Sequence, residues 1–285
     1  MPSGLAHVWR LMRAGRVLAR HDALMTPAQL ADLPWPARLA LGLARLGPRA
    51  ATGAAGERVT AALSSLGPSY IKLGQFLATR PDIVGPARAF ELKALQDRLP
   101  PFAMAEAKSV LAANLGAGAD SLFTRFGAPV AAASIAQVHR ATTSDGREVA
   151  VKILRPGVEK RFAADLGSFY FAARLIERFS AEGRRLRPVA AVAMLEQSMK
   201  LELDLRMEAA AIAEMTANTR DDPGFRLPQV DWQRTARQVL TTEWIDGIPI
   251  ADTAALAARG FDLKALADAL IQNFLRHAIR DGFFH

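Results

Sequence analysis

Apolar positions recur at helical spacing over most of the chain and at strand spacing in one stretch near its middle. In residues 1–20, Val8, Leu11, Leu18 and Ala19 gather on one arc of a helical wheel. Arg10, Arg13, Arg16 and Arg20 fall within about 120° on the other side, while Trp9 and Val17 break the pattern. From 22 to 65 the residues are mainly Ala, Leu, Arg and Pro, with Pro34, Pro36 and Pro48 punctuating short helices and 53–56 reading as a loop. Helical periodicity resumes over 71–77 and 88–95, stops at Pro100 and Pro101, and returns over 104–115 before a loop at 116–120. The texture then changes. Residues 134–142 and 148–154 are short β-prone runs joined by Ser144, Asp145 and Gly146, a hairpin signal. Residues 162–179 read as a helix, and 189–216 as one long helix because neither Pro nor Gly interrupts it. Strands are expected near 229–232 and 238–244, the second closed by Asp246 and Gly247. Residues 263–280 form an amphipathic helix with Leu266, Leu270, Phe274 and Ile279 spaced for burial. This order predicts an α+β fold without internal repeats rather than a regular βαβ series.

Composition narrows the chemistry. At 285 residues and 51% hydrophobic the chain can bury one large core or two small ones. A formal charge of +8 favours anionic partners: nucleic acid, acidic lipid headgroups or phosphorylated ligands. The absence of Cys excludes disulfides, thiolate metal sites and Cys nucleophiles, and the five His lack the paired spacing of a zinc site. No apolar run reaches the roughly 18 residues that a membrane span needs. The first acidic residue is Asp22, so the N-terminal segment fits a helix lying on an anionic membrane. It fits equally a helix packed on its own domain with a solvated Arg face, and its Arg content suits a transit peptide that its low Ser content does not.

In the second strand of the hairpin, Val149, Val151 and Ile153 point one way, and Ala150 and Lys152 the other. A Lys ending such a strand can reach nucleotide phosphates while the small Ala150 leaves room for a flat base; a Lys facing water at a sheet edge is the simpler alternative. Residues 129–139 precede this strand where a Gly-rich phosphate loop could lie, but its glycines are replaced by Ala131, Ala132 and Ala133, followed by Ser134. Each Ala Cβ restricts φ and holds a ligand off the backbone. On a continuous helix Asp204 and Glu208 share a face, whereas Glu202 lies about 120° from Glu208. A carboxylate on the helix after the Lys strand is the expected counter-ion of Lys152, and Glu208 is the choice. Glu202 then faces a second cation, for which Lys72 is the candidate, while plain solvent exposure is the simpler alternative for such carboxylates. Gly74, beside Gln75 in a helical pattern, costs roughly 1 kcal/mol relative to Ala, so something approaches that backbone closely.

Together these stretches, from Gly67 to His285, resemble the UbiB family of atypical kinase-like proteins. Lys72, Gly74 and Gln75 match its Lys-x-Gly-Gln motif, Ala131 to Ser134 its Ala-rich loop, Lys152 its nucleotide Lys, Glu202 and Asp204 its Glu-x-Asp motif, and Glu208 its ion-pair Glu. The run from Thr242 to Gly247, with Glu243 and Trp244, resembles its hinge, with Thr242 where Met is common. The resemblance implies an atypical protein-kinase-like fold: an N-lobe sheet, a helical N-terminal extension, and the start of a helical C-lobe. It divides the chain into a basic helical region (1–66), a lid (67–128), an N-lobe with inserted helices (129–247) and the first part of a C-lobe (248–285). It implies ATP or ADP binding, Mg²⁺ in the intact family fold, and slow ATPase or small-molecule kinase chemistry supporting ubiquinone biosynthesis. Implied partners are nucleotide, an anionic membrane surface, and ubiquinone-biosynthesis proteins or lipid intermediates, with no nucleic acid. The implied location is the inner face of the bacterial inner membrane, or alternatively the matrix side in mitochondria or plastids.

One departure matters. Residues 281–285 resemble the opening of the family's catalytic segment, and the sequence stops at its first His, before the catalytic Asp, the metal-binding Asn and the Asp-x-Gly motif. No catalytic residue and no metal anchor is therefore expected here, and an inactive, incomplete form is the expectation. Phe274, Phe283 and Phe284 are then expected to form an exposed apolar patch. The alternative is a non-catalytic nucleotide-binding or membrane-associated scaffold.

Overall fold

The computed structural model describes residues 4–21, 55–95, 99–116 and 118–283. The expectations for 22–54, with Pro34, Pro36 and Pro48, and for Phe284 and His285 lie outside the described residues. The chain divides into two compact units, one of Met1–Pro101, Ala132–Ala136 and Arg155–Lys200, the other of Phe102–Ala131, Gln137–Leu154 and Leu201–His285.

The first unit is helical: α1 (Gly4–Arg20), α2 (Ala55–Leu66), α3 (Pro68–Ala78) and α4 (Pro86–Leu92) precede a long helix at Val158–Phe179. Ile71, Leu63, Leu92, Leu95, Phe162 and Phe169 are buried in it. Two glycines set its geometry. Gly67 starts α3 from φ 102° and ψ −170°, a region that residues with a Cβ avoid, and the Arg161 guanidinium lies 2.8 Å from where that Cβ would stand. Gly74 answers the sequence argument directly: a Cβ there would meet Leu95 Cδ2 at 2.6 Å and Leu63 Cδ1 at 2.7 Å.

The helix of α1 is as expected, but its faces are not. Arg10 turns inward to donate to Asp165 at 3.2 Å, His7 Nδ1 lies 3.2 Å from the Ser168 hydroxyl, and Ala14 is buried. The buried Asp165 carboxylate holds one arginine, whose side chain stays 40% exposed, to the edge of the packed face, so the exposed arc carries Leu5, Val8, Trp9 and Met12 together with Arg13 and Arg16. Arg10 does not belong to a single solvated cationic face.

The second unit is built on a four-stranded sheet in the order β1 (Phe123–Ala132), β2 (Ala136–Thr143), β3 (Glu148–Leu154), β4 (Val239–Glu243). Strands β3 and β4 are antiparallel, with Lys152 opposite Leu240 and Ala150 opposite Thr242. Val149, Val151 and Ile153 are buried with Phe123, Ala141 and Val239 and with Ala107 and Leu111 of α5 (Met104–Leu115). The expected alternation along β3 therefore holds. Under β2 the His139 ring is fully buried: Nδ1 lies 2.8 Å from the Gly127 carbonyl, Nε2 lies 2.9 Å from Gln137, and Phe126 stacks at 4.6 Å.

Burial pushes the His139 pKa below its ordinary 6.5. As pH falls through 6.5 the unfolded chain takes up a proton that the folded chain refuses, so stability is full above 6.5 and is lost on acidification toward the lowered value. The thermal midpoint is expected to fall between about pH 7 and 5, and to fall less steeply in His139→Gln. Midpoints taken across that range in both proteins check this.

Other departures have local causes. The expected helix 189–216 is broken into α7 (Pro188–Glu202) and α8 (Leu205–Asn218), α6 being the helix Val158–Phe179. Leu203 and Leu205 are both buried, yet two residues on one helix lie about 200° apart. The chain breaks between them. Asp204 caps α8 by accepting from the Arg206 backbone N–H at 3.2 Å, and the Leu205 N–H donates to the Arg237 carbonyl at 2.8 Å. Near 229–232 there is a single bridge from Val230 to Thr242, followed by a 3₁₀ turn at Trp232–Arg234 that Asp231 caps. Residues 116–120 include the start of a helical turn at Ala119–Leu122. The helix α9 (Leu263–Leu275) runs on as a π turn at Arg276–Asp281, and it buries Asn273 and His277 while Leu270, Phe274 and Ile279 are 55%, 54% and 79% exposed. The burial expected of those three is not met within these residues, whereas the exposure expected of Phe274 is; Phe283 is half-buried.

Candidate functional site

Lys152 leaves the sheet on the face opposite the core, because β3 alternates from Glu148 to Ile153 and its neighbours Val151 and Ile153 are buried. Glu208 stands in the first turn of α8, whose start is fixed by the Asp204 cap. The two meet. Lys152 Nζ donates to Glu208 Oε1 at 2.9 Å and to Oε2 at 2.7 Å, with the side chains 31% and 29% exposed. Such a partly exposed pair contributes about 1 kcal/mol or less to stability, and its value lies in positioning the ammonium.

The pair forms part of the wall of a cavity of about 590 Å³, within the range of small-molecule sites. Glu202 and Glu214 add two more carboxylates, and Leu201, Met207 and Phe283 add apolar surface. Glu202 therefore shares a cavity with Lys152 and Glu208, where the continuous-helix wheel had set it apart; the break at Leu203 invalidates that wheel. The expected common face of Asp204 and Glu208 is likewise replaced by capping: Asp204 holds the Arg206 guanidinium at 2.6 and 2.9 Å, which keeps its carboxyl below the usual range. Asp204→Ala is expected to cost about 1 kcal/mol in denaturant unfolding, the usual worth of a cap.

The remaining expected residues do not line this cavity. Ala150 shares the face of Lys152 on β3. Glu243 is engaged by Arg226 at 2.9 and 3.0 Å. The Trp244 indole donates to Asp246 at 2.8 Å, with the Arg140 guanidinium 4.8 Å from its ring. Ala131 and Ala132 end β1, and Ala133 and Ser134 lie in the tight connection to β2, where the Ala133 N–H donates to the Ala136 carbonyl at 2.7 Å. Arg155, which sequence reasoning missed, clamps this connection: its guanidinium donates to the Ala133 carbonyl at 3.0 and 3.1 Å and to the Pro100 carbonyl at 2.7 Å. Lys72 and Gln75 are half-buried on α3 beside Gly74. Glu214 was also missed, although Met207, Ala210, Ala211 and Glu214 follow the i, i+3, i+4, i+7 spacing of one helical face. Among the described residues no group of three or more His, Asp or Glu could hold a metal ion.

A sheet whose Lys152 is bonded to a Glu on a later helix, α8, places the chain in the kinase-like class. The chain belongs to the family of the ABC1 atypical kinase-like domain, whose family model matches residues 94–285. Within it, the chain is similar to "Probable protein kinase UbiB" of Marinobacter nauticus, with 40% identity over 284 residues covering 99% of this chain and 52% of that protein. The protein of the same name in Azotobacter vinelandii is 41% identical over 288 residues, covering 99% and 53%. The chain thus spans about half the length of the curated relatives it matches. A solved Mycobacterium tuberculosis protein in complex with erythromycin is 32% identical, covering 70% of this chain and 50% of that one, with a TM-score of 0.49.

Proposed function

We propose that this chain is the nucleotide-facing part of a kinase-like protein that supports ubiquinone biosynthesis, and that it binds ATP or ADP through Lys152. The observation that carries this reading is the Lys152–Glu208 pair at the wall of a cavity large enough for a nucleotide. The ammonium has three N–H groups, two of them directed at Glu208, which leaves one for a phosphate oxygen. Its partial exposure lets a ligand reach it.

Electrostatics add a condition. Three carboxylates face one ammonium across this cavity, so a polyphosphate needs accompanying cations. Mg²⁺ carried in on the nucleotide would serve, and no reaction step is assigned to it. The segment of Lys72, Gly74 and Gln75 acts in this proposal as a regulatory lid. Ala150 on β3, and Glu243 and Trp244 at the end of β4, lie outside this cavity and in this proposal border a nucleotide that extends beyond it. The working location is an anionic membrane surface at the inner face of a bacterial inner membrane.

Calorimetric titration with ATP and ADP, with and without Mg²⁺, tests the nucleotide reading. Saturable binding that tightens with Mg²⁺ is expected, and heats no larger than dilution at millimolar nucleotide would remove the proposal.

A further inference from the structure

The first unit holds a second cluster of charged groups, on α1 and the helices beneath it. Arg10, Arg13 and Arg161 wall a small cavity of about 40 Å³ with Tyr70, Leu66 and Asp165. Asp165 is 9% exposed and bonds Arg10, so three guanidinium groups face one carboxylate and the niche keeps a surplus of two positive charges. The fork of Arg161 is fixed by donation from Nη2 to the Leu66 carbonyl at 3.2 Å. The space takes a phosphate group but not a nucleoside. Burial and the neighbouring Asp165 push the Tyr70 hydroxyl up to about 12, so it stays protonated and can donate.

Beside this niche lies the outward arc of α1. Leu5, Met12 and Trp9 are 80%, 61% and 60% exposed, with Val8 next to them. Arg13 follows Trp9 by about 40° around the helix, and Arg10 follows Arg13 by about 60°. The order across the surface is therefore apolar residues, then Arg13, then the niche. Arg16 stands within the apolar arc, and no acidic residue occurs before Asp22. A soluble phosphate would leave Leu5, Trp9 and Met12 in water; a bilayer covers them while presenting phosphates at the depth of the arginines.

We propose that α1 seats the protein on an anionic phospholipid surface, with Leu5, Val8, Trp9 and Met12 entering the acyl boundary and the Arg10–Arg13–Arg161 niche holding one headgroup phosphate. This deepens the membrane-surface part of the function proposed above and is independent of its nucleotide part.

Co-sedimentation of the full chain with vesicles tests it, using phosphatidylcholine alone or mixed with phosphatidylglycerol. Binding is expected only with phosphatidylglycerol, and it should weaken as salt rises. The pair Leu5→Ser with Trp9→Ser, and separately Arg13→Gln with Arg161→Gln, should each lower partitioning by about tenfold at an unchanged melting temperature. The exposed Leu5 and Trp9 keep the test decisive if the Arg161 variant folds poorly. Three results overturn the proposal. Undiminished binding by both variant pairs removes this site but leaves membrane association standing. No binding to either vesicle removes both. Calorimetric binding of inorganic phosphate or glycerol phosphate without vesicle binding assigns the niche to a soluble ligand.

Discussion

Replacing Lys152 by Met is expected to weaken ATP and ADP binding by about tenfold or more while changing the unfolding free energy by no more than about 1 kcal/mol. The two effects differ because they draw on different partners. Toward Glu208 the ammonium is 31% exposed and its attraction is screened, so losing the pair costs little stability. Toward a phosphate it supplies a charge-assisted hydrogen bond, and about 1.4 kcal/mol corresponds to tenfold in affinity. Glu208→Gln separates positioning from charge. It removes one of three carboxylates around the cavity, so affinity for an anionic ligand should hold or rise even though the ammonium loses its anchor. Calorimetric titration and urea unfolding on the same preparations read both quantities. A large loss of stability in Lys152→Met would show the pair to be structural instead.

Gly67→Ala should destabilise the helical unit by up to about 3 kcal/mol, through two costs of which the first is the larger. One is backbone strain, because φ 102° with ψ −170° is a conformation that essentially only Gly adopts. The other, smaller because the far end of a flexible side chain can move aside, is collision with the Arg161 guanidinium at 2.8 Å. Combining Gly67→Ala with Arg161→Ala should recover the collision and leave the strain of about 1 to 3 kcal/mol. Denaturant midpoints of the three variants check this, and a neutral Gly67→Ala would mean that the turn before α3 relaxes freely.

Where a single period governed a segment, the sequence was readable. The alternation of Val149, Val151 and Ile153 against Ala150 and Lys152 separated the core face of β3 from the face that carries Lys152, and 104–115 matched α5. Motif order was readable as well, since it led to the family that the domain match bears out. Failures arose where one side chain overrode periodicity. Asp204, offering its carboxylate as a cap, ended a helix that contains neither Pro nor Gly. Asp165, distant in sequence, drew Arg10 inward and left apolar residues outside. Strand β1 was hidden because its burial does not alternate and Gly127, Pro129 and the alanines carry no β signal. Arg155 was hidden because its partners are two backbone carbonyls, which no side-chain pattern records.

The central claim is that the Lys152 amine meets nucleotide phosphate. Acylation of the protein by an acyl-phosphate derivative of ATP, followed by mass spectrometric mapping, tests it most directly. The account predicts label concentrated on Lys152 and suppressed by excess ADP. Label spread over the other lysines, or label on Lys152 that ADP does not suppress, would contradict it.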